Sequence, residues 1–289
     1  MKFSIVIPAK DEEQGLAATL PKLVSSYPDA EVIVVNDGSS DGTVAVCEAN
    51  GVRVVSHPYS KGNGAAIKSG ARAARGEYIV FMDGDGQHDP ADIEKLLYKV
   101  EEGYDMVVGA RGSRGDQASL ARWSANSLYN WLAGWMVNRR IDDLTSGFRI
   151  VHREKFLGFL YLLPNGFSYP TTSTMAFFRA GYSVGFVPIK VTQRLGKSHI
   201  NMVRDGVRFF LIIFKIGTLY SPLKVYFPAS VAVAGFGVMN YLFANIGQGT
   251  WHFTNMSTLL LLSGMVIFLI GLLSEQLTNL QYRDTADDP

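Results

Sequence analysis

Asp83 and Asp85 stand one residue apart in the stretch Phe81-Met82-Asp83-Gly84-Asp85-Gly86-Gln87-His88. A strand-like run, Tyr78-Ile79-Val80-Phe81, precedes them, and a helix-like run opening at Pro90 follows. Two carboxylates in a turn at a strand end face one small volume. The glycines between them let the backbone bend and let a ligand come close. Such a pair needs a counter-charge, and a divalent cation holding a phosphate is one candidate. A polar turn that caps the next helix is the other, since Asp, Gly and Pro are ordinary turn residues.

The elements that must position this pair are read from hydrophobic spacing. Strands are expected at Phe3–Ile7, Glu31–Val35, Val52–Ser56, Tyr78–Phe81 and Asp105–Gly109, with a further one around Val184–Val191. Helices are expected between them. One runs from the Asp11-Glu12-Glu13 segment to about Ser26, with Leu16, Leu20, Leu23 and Val24 at helical spacing. The others span Thr43–Ala49, with Asp41 as cap, Ala65–Ala74, Pro90 to about Glu102, and Arg153–Leu162. Short alternation of this kind predicts an α/β fold, a mostly parallel sheet with helices on both faces. Ligands in such sheets sit at the carboxyl ends of the strands. Glu12, Asp37, Gly62 and the Asp83/Asp85 pair all fall at or just past predicted strand ends.

Composition narrows the function classes. The chain has 289 residues and a net charge of +1, which gives no global argument for nucleic acid. Its single cysteine, Cys47, excludes a disulfide framework and a cysteine-based zinc cluster; apolar neighbours give it a packing role. Gly62-Asn63-Gly64 lacks the third glycine of a dinucleotide loop, and no Gly-Lys-Ser/Thr phosphate loop occurs. The N-terminal run turns polar too quickly for a signal peptide.

The last third of the chain is greasier than the rest. Val225–Ile246 and Ser257–Ser274 contain no charged side chain, and each is long enough to cross a hydrocarbon core of ~30 Å. Gly247–Met256 between them has no Lys or Arg, whereas Lys215, Lys224 and Arg283 flank the outer ends. The positive-inside rule then puts both termini and the preceding domain in the cytoplasm. If His199–Tyr220 is one helix, Arg204, Arg208 and Lys215 fall within about 40° of one another, a basic stripe suited to an anionic membrane surface. Gln117–Val137 is a helix rich in Trp123, Trp131 and Trp135, either core or membrane interface, where Trp is enriched. Residues 139–149 read as a polar loop.

Four stretches together resemble the signature series of family 2 glycosyltransferases: Ile7-Pro8-Ala9-Lys10-Asp11-Glu12, Val35-Asn36-Asp37-Gly38-Ser39, Met82–His88 and Thr145-Ser146-Gly147-Phe148-Arg149. The similarity is to polyprenyl-phosphate sugar transferases of the dolichol-phosphate mannose synthase type, and it extends to about residue 218. Lys10 and Asp11 stand where Tyr-Asn is commoner, and His199 where Lys is usual.

The resemblance implies a GT-A fold and an inverting transfer of a sugar from a nucleotide sugar, of the GDP-mannose or UDP-hexose type, to a polyprenyl phosphate. It matches Pro8, Glu12 and Asp37 to the nucleotide's base and ribose, and Asp83, Asp85 and Gln87 to a Mg²⁺ or Mn²⁺ ion on the donor diphosphate. Arg111 and Arg122 match arginines that grip the acceptor phosphate; Gly62, Arg194 and Lys197 belong to donor-binding loops. The expected organisation is a cytoplasmic catalytic domain (1–196), an interface helix (197–221) and a membrane domain (222–289) with spans near 225–246 and 257–277, in a bacterial inner membrane. A homo-oligomer is compatible with it. A processive polysaccharide synthase would carry Gln-x-x-Arg-Trp late in its catalytic domain, whereas Gln117 and Arg122-Trp123 are too far apart and too early. A catalytically silent scaffold of the same fold is the remaining alternative, and the intact metal triplet weighs against it.

Overall fold

A computed structural model describes residues 2–112, 120–166, 168–191, 214–215, 217–246 and 251–283, the backbone alone for 120–126 and 281–283. Runs of β-branched and apolar residues build its sheet. These are β1 (Phe3–Ala9), β2 (Glu31–Asn36), β3 (Arg53–Ser56), β4 (Tyr78–Phe81), β5 (Met106–Arg111), β6 (Arg149–His152) and β7 (Val184–Ile189). The strand order is β3-β2-β1-β4-β6-β5-β7. All neighbours are parallel except β6, which runs antiparallel to both β4 and β5. The central strands read as near-continuous apolar runs because helices cover both faces of the sheet. Ile5, Ile7, Val34, Val80 and Val107 are buried on one face with Leu16, Leu20 and Leu23 of α1 (Glu13–Ser26) and Ile93 and Leu96 of α4 (Ile93–Glu101).

The remaining helices of this unit are α2 (Thr43–Ala49), α3 (Asn63–Ala73), α5 (Leu120–Val137), α6 (Arg153–Leu157) and α7 (Tyr169–Arg179). Cys47 is fully buried in α2, and burial pushes its thiol up to about 11, as a packing residue requires. Asp41 Oδ1 accepts from Thr43 N at 3.0 Å, the expected cap.

The structure departs from the expected elements in three places. Residues 149–152 form β6 rather than the end of a loop. The helix opening at Arg153 stops at Leu157 instead of reaching Leu162, with turns over 158–162. An unexpected helix, α7, fills the stretch before β7, with every residue from Tyr169 to Phe177 buried.

The chain divides into two compact units, Met1–Trp135 with Arg139–Met202, and Met136–Asn138 with Val203–Pro289. In the second, two apolar helices, Pro222–Asn245 and Asn255–Arg283, pack as a hairpin. Small residues let them approach: a β-carbon on Gly264 would stand 3.0 Å from the Ala234 side chain. Asn245 closes the turn, donating from Nδ2 to His252 O at 3.0 Å and accepting at Oδ1 from His252 N at 2.8 Å. At the other end Glu275 Oε2 accepts from Leu223 N, satisfying one donor of the first helix's N-terminus. Within this unit Lys224 Nζ and Ser221 Oγ both donate to Met136 O.

Candidate active site

The carboxyl ends of β1, β2, β4 and β5 lie at one edge of the sheet, because these strands share one direction. Antiparallel β6 begins where β4 ends, with Phe81 paired to Arg149. Its leading residues, Ser146-Gly147-Phe148, therefore meet the acidic turn that follows β4. Gly15 in α1 seats this turn from the other side: a β-carbon there would stand 2.3 Å from Gly84 O.

Asp85 is buried and its Oδ1 accepts from Gln87 N at 3.2 Å; Asp83 keeps 37% of its side chain exposed. The helical turn that comes next, Pro90–Asp92, is capped by Asp89, whose Oδ1 accepts from Ala91 N at 3.1 Å. His88, buried and stacked on Phe148 with ring centroids 4.9 Å apart, brings Nε2 to 3.6 Å from Asp83 Oδ2. Burial opposes the charge on Asp83, but His88, then Arg111 and Arg149, outweigh it and hold the carboxyl below its ordinary range.

Arg111, at the end of β5, is fixed by a carboxylate from the loop before β6. Its Nε donates to Asp143 Oδ2 at 2.7 Å, and Nη2 donates to Asp143 Oδ1 at 3.0 Å and to Thr145 Oγ1 at 2.5 Å. Burial opposes ionisation of Asp143, and the Arg111 guanidinium outweighs it and lowers its pKa. A guanidinium has five donors, and the pair on Nη1 has no partner among the described residues. Asp143 therefore orients the guanidinium, with no described partner on Nη1, a geometry suited to a phosphate oxygen.

Arg149 is fully buried, yet its hydrogen-bonding partners are neutral. Nη1 donates to Pro170 O, Ser173 Oγ and Thr174 Oγ1, each at 2.9 Å, and Nη2 donates to Ser146 O. Asp83 and Asp85 thus form an acidic pair set beside the guanidinium groups of Arg111 and Arg149, with the His88 ring against Asp83. That composition fits an anionic ligand carried with a divalent metal.

Among the described residues no three His, Cys, Asp or Glu side chains gather to hold a metal alone. The hard oxygen donors of Asp83, Asp85 and Gln87 fit Mg²⁺ or Mn²⁺ when a ligand's phosphate oxygens complete the shell, the usual arrangement for phosphate-bound Mg²⁺.

The second cluster of predicted residues lies at the ends of β1 and β2. Pro8 sits in β1 beyond the stretch paired with β4, opposite Val35. Glu12 precedes α1, and its N–H donates to Thr43 Oγ1 at 3.1 Å. Asp37 is buried with its acceptor positions filled from within. Oδ1 accepts from Lys61 N at 2.8 Å and is 2.7 Å from His57 Nδ1, while Oδ2 accepts from Ser60 Oγ at 2.8 Å and Gly62 N at 2.9 Å. Burial would raise its pKa, but the donors, His57 foremost, bring it down to about 2. The Gly62 amide is thus committed to Asp37. At the same helix start Gly64 N and Ala65 N donate to Gly166 O and Asn165 O. The N-terminus of α3 is capped by protein rather than left for a phosphate.

Arg122 lies on α5, but its side chain is outside the described residues, as are Arg194 and Lys197. His57, His88, Asp143, Gly147 and Arg149 escaped the residue-by-residue reading. Arg149 carried a signal, a single charge inside the apolar run Phe148–Val151, which has to find buried partners.

Residues 4–160 match the family described as Glycosyl transferase family 2, and residues 221–280 match the GtrB C-terminal hairpin. The chain is 30% identical over 215 residues to glycosyltransferase AglJ of Haloferax volcanii, covering 72% of this chain and 70% of that protein. It is 28% identical over 212 residues to the polyprenol monophosphomannose synthase of Mycolicibacterium smegmatis, covering 68% and 80%. In fold it is similar to glucosyl-3-phosphoglycerate synthase from Mycobacterium tuberculosis, crystallised with Mn²⁺ and uridine-diphosphate-glucose. The TM-score is 0.59, with 23% identity, 73% of this chain and 78% of that one covered.

Proposed function

Since the chain belongs to glycosyl transferase family 2, we propose that it moves a sugar, with inversion, from a nucleotide sugar to a polyprenyl phosphate at a membrane. The observation that carries this reading is an acidic pair set beside guanidinium groups in a chain that also bears an apolar hairpin. The name of the M. smegmatis relative points to the same acceptor class.

In this reading Asp83, Asp85 and Gln87 hold the divalent ion, which supplies charge neutralisation for the departing nucleoside diphosphate. Arg111 grips the acceptor phosphate through its guanidinium, which Asp143 keeps from swinging away. Arg122 assists it, and Arg194 and Lys197 contact the donor phosphates. A lipid phosphate is ionised at neutral pH, so its oxygen attacks without a dedicated base. The protein's task is to bring two anions together, and fixed guanidinium groups suit that task. Pro8, Glu12 and Asp37 shape the nucleoside pocket. Asp37 does so through the 60–62 loop it binds, as does Gly62 through its bond to Asp37.

Residues 1–196 then form the catalytic domain, 197–221 an interface segment and 222–289 the membrane domain. Helices of 24 and 29 residues, roughly 36 and 43 Å long, are sufficient to span a bilayer.

Asp83→Ala and Asp85→Ala are expected to abolish transfer of radiolabelled sugar to polyprenyl phosphate in membranes while leaving the chain folded by circular dichroism. Excess EDTA should do the same to the parent protein. Full activity in either variant, or in EDTA, would remove the metal from the reaction.

A further inference from the structure

Four buried side-chain polar atoms among the described residues lack a hydrogen-bond partner, and three of them line the surroundings of Asp83: His88 Nδ1, Ser146 Oγ and Arg149 Nε. The backbone between two of these residues is where the Asp83 carboxylate rests. A β-carbon on Gly147 would stand 2.6 Å from Asp83 Oδ2 and 2.9 Å from Oδ1. Only glycine leaves room for the carboxylate in that seat.

The seat is held from behind. Ser146 O accepts from Arg149 Nη2, and the next carbonyl, Gly147 O, accepts from the Tyr169 hydroxyl at 3.2 Å. The Arg149 guanidinium lies 5.8 Å from the centre of the Tyr169 ring. Both clamps are anchored in α7, Tyr169 as its first residue and Arg149 through Pro170 O, Ser173 Oγ and Thr174 Oγ1.

We propose that Tyr169 and Arg149 are positioning residues that fix Asp83 for a metal–diphosphate ligand, acting through the backbone of Ser146 and Gly147. The inference rests on the reading that Asp83 is a metal ligand. A fully buried guanidinium hydrogen-bonded only to neutral groups is costly to keep as mere filler. Here it grips the seat and also places a positive charge close to the carboxylate that the seat carries. Partners behind a metal-binding carboxylate commonly set metal affinity in this way.

The test uses the full chain in detergent, with Mn²⁺ binding followed by electron paramagnetic resonance in saturating UDP and, in parallel, GDP. Gly147→Ala displaces the end of a flexible side chain rather than backbone, so the variant is expected to fold. It should bind Mn²⁺ about tenfold or more weakly in whichever nucleotide supports binding. Tyr169→Phe removes one hydroxyl and should weaken Mn²⁺ about threefold, with the KM for polyprenyl phosphate unchanged. Arg149→Lys keeps the charge but loses the fork, and should fall between them. Parent-like Mn²⁺ binding in both Tyr169→Phe and Arg149→Lys would overturn the inference while leaving the proposed reaction intact. So would losses that merely track a lowered melting temperature. A parent protein that binds no Mn²⁺ with either nucleotide would overturn both.

Discussion

Asp37 shows how a residue at a strand end can be recognisable without its job being so. Its place after β2 marks it from sequence alone. The four donors around it, from His57, Ser60, Lys61 and Gly62, come from a loop 20 to 25 residues on, and no local pattern announces them. They have a consequence for acid stability. The folded carboxyl is drawn down to about 2 from 3.8, so it is the ionised form that stabilises the fold. That contribution, roughly 2 kcal/mol, is complete above about pH 5 and disappears as pH falls from about 4 to 2. Asp37→Asn should therefore lower the melting temperature at pH 6 and flatten its decline between pH 5 and 3; melting curves that fall in parallel for the two proteins would contradict this. His88 and Arg149 were hidden for the same reason as His57. His57 reaches Asp37 across the β2–β3 pairing, and the β4–β6 pairing brings Arg149, and Phe148 on which His88 stacks, to the acidic turn.

Among the elements, the parallel half of the sheet was legible because Val and Ile runs, turn residues and helical spacing agree there. β6 and α7 were not. β6 has four residues, two of them Arg149 and His152, and resembles loop until its neighbours bury it. α7 contains Thr171-Thr172-Ser173-Thr174, poor helix formers that tertiary burial overrides. These two elements supply the wall behind Asp83, so the part of the site least visible in sequence is its scaffolding rather than its ligands. α5 bears on an alternative that spacing left open. Tyr129 and Ala133 are buried on one face, while Leu128, Trp131 and Trp135 are exposed on the other, Trp131 by 66%. Such a stripe, with Arg139 and Arg140 exposed just beyond it, is suited to the headgroup boundary. In vesicles of brominated phosphatidylcholine, Trp131→Phe with Trp135→Phe should reduce the quenched share of tryptophan fluorescence. An unchanged share would put that face in water.

For the whole molecule, the basic residues flanking the hairpin and the lack of Lys or Arg in its turn predict that both ends of the chain stay in the cytoplasm. A reporter fused after Pro289 should be active only if it folds there; an active reporter of the opposite compartment would break the two-span arrangement.

The Asn245 clasp has a further bearing, on how the protein reaches its membrane. From Ile246 to Ser274 the chain has no Asp, Glu, Lys or Arg, and the clasp satisfies turn backbone groups from within. A charged side chain at mid-bilayer carries an insertion penalty of about 2.5–3.5 kcal/mol, and none arises here. The two helices can slip in together as a closed pin. Their entry draws no work from the electrical gradient across the bilayer, since no charge has to be carried through it.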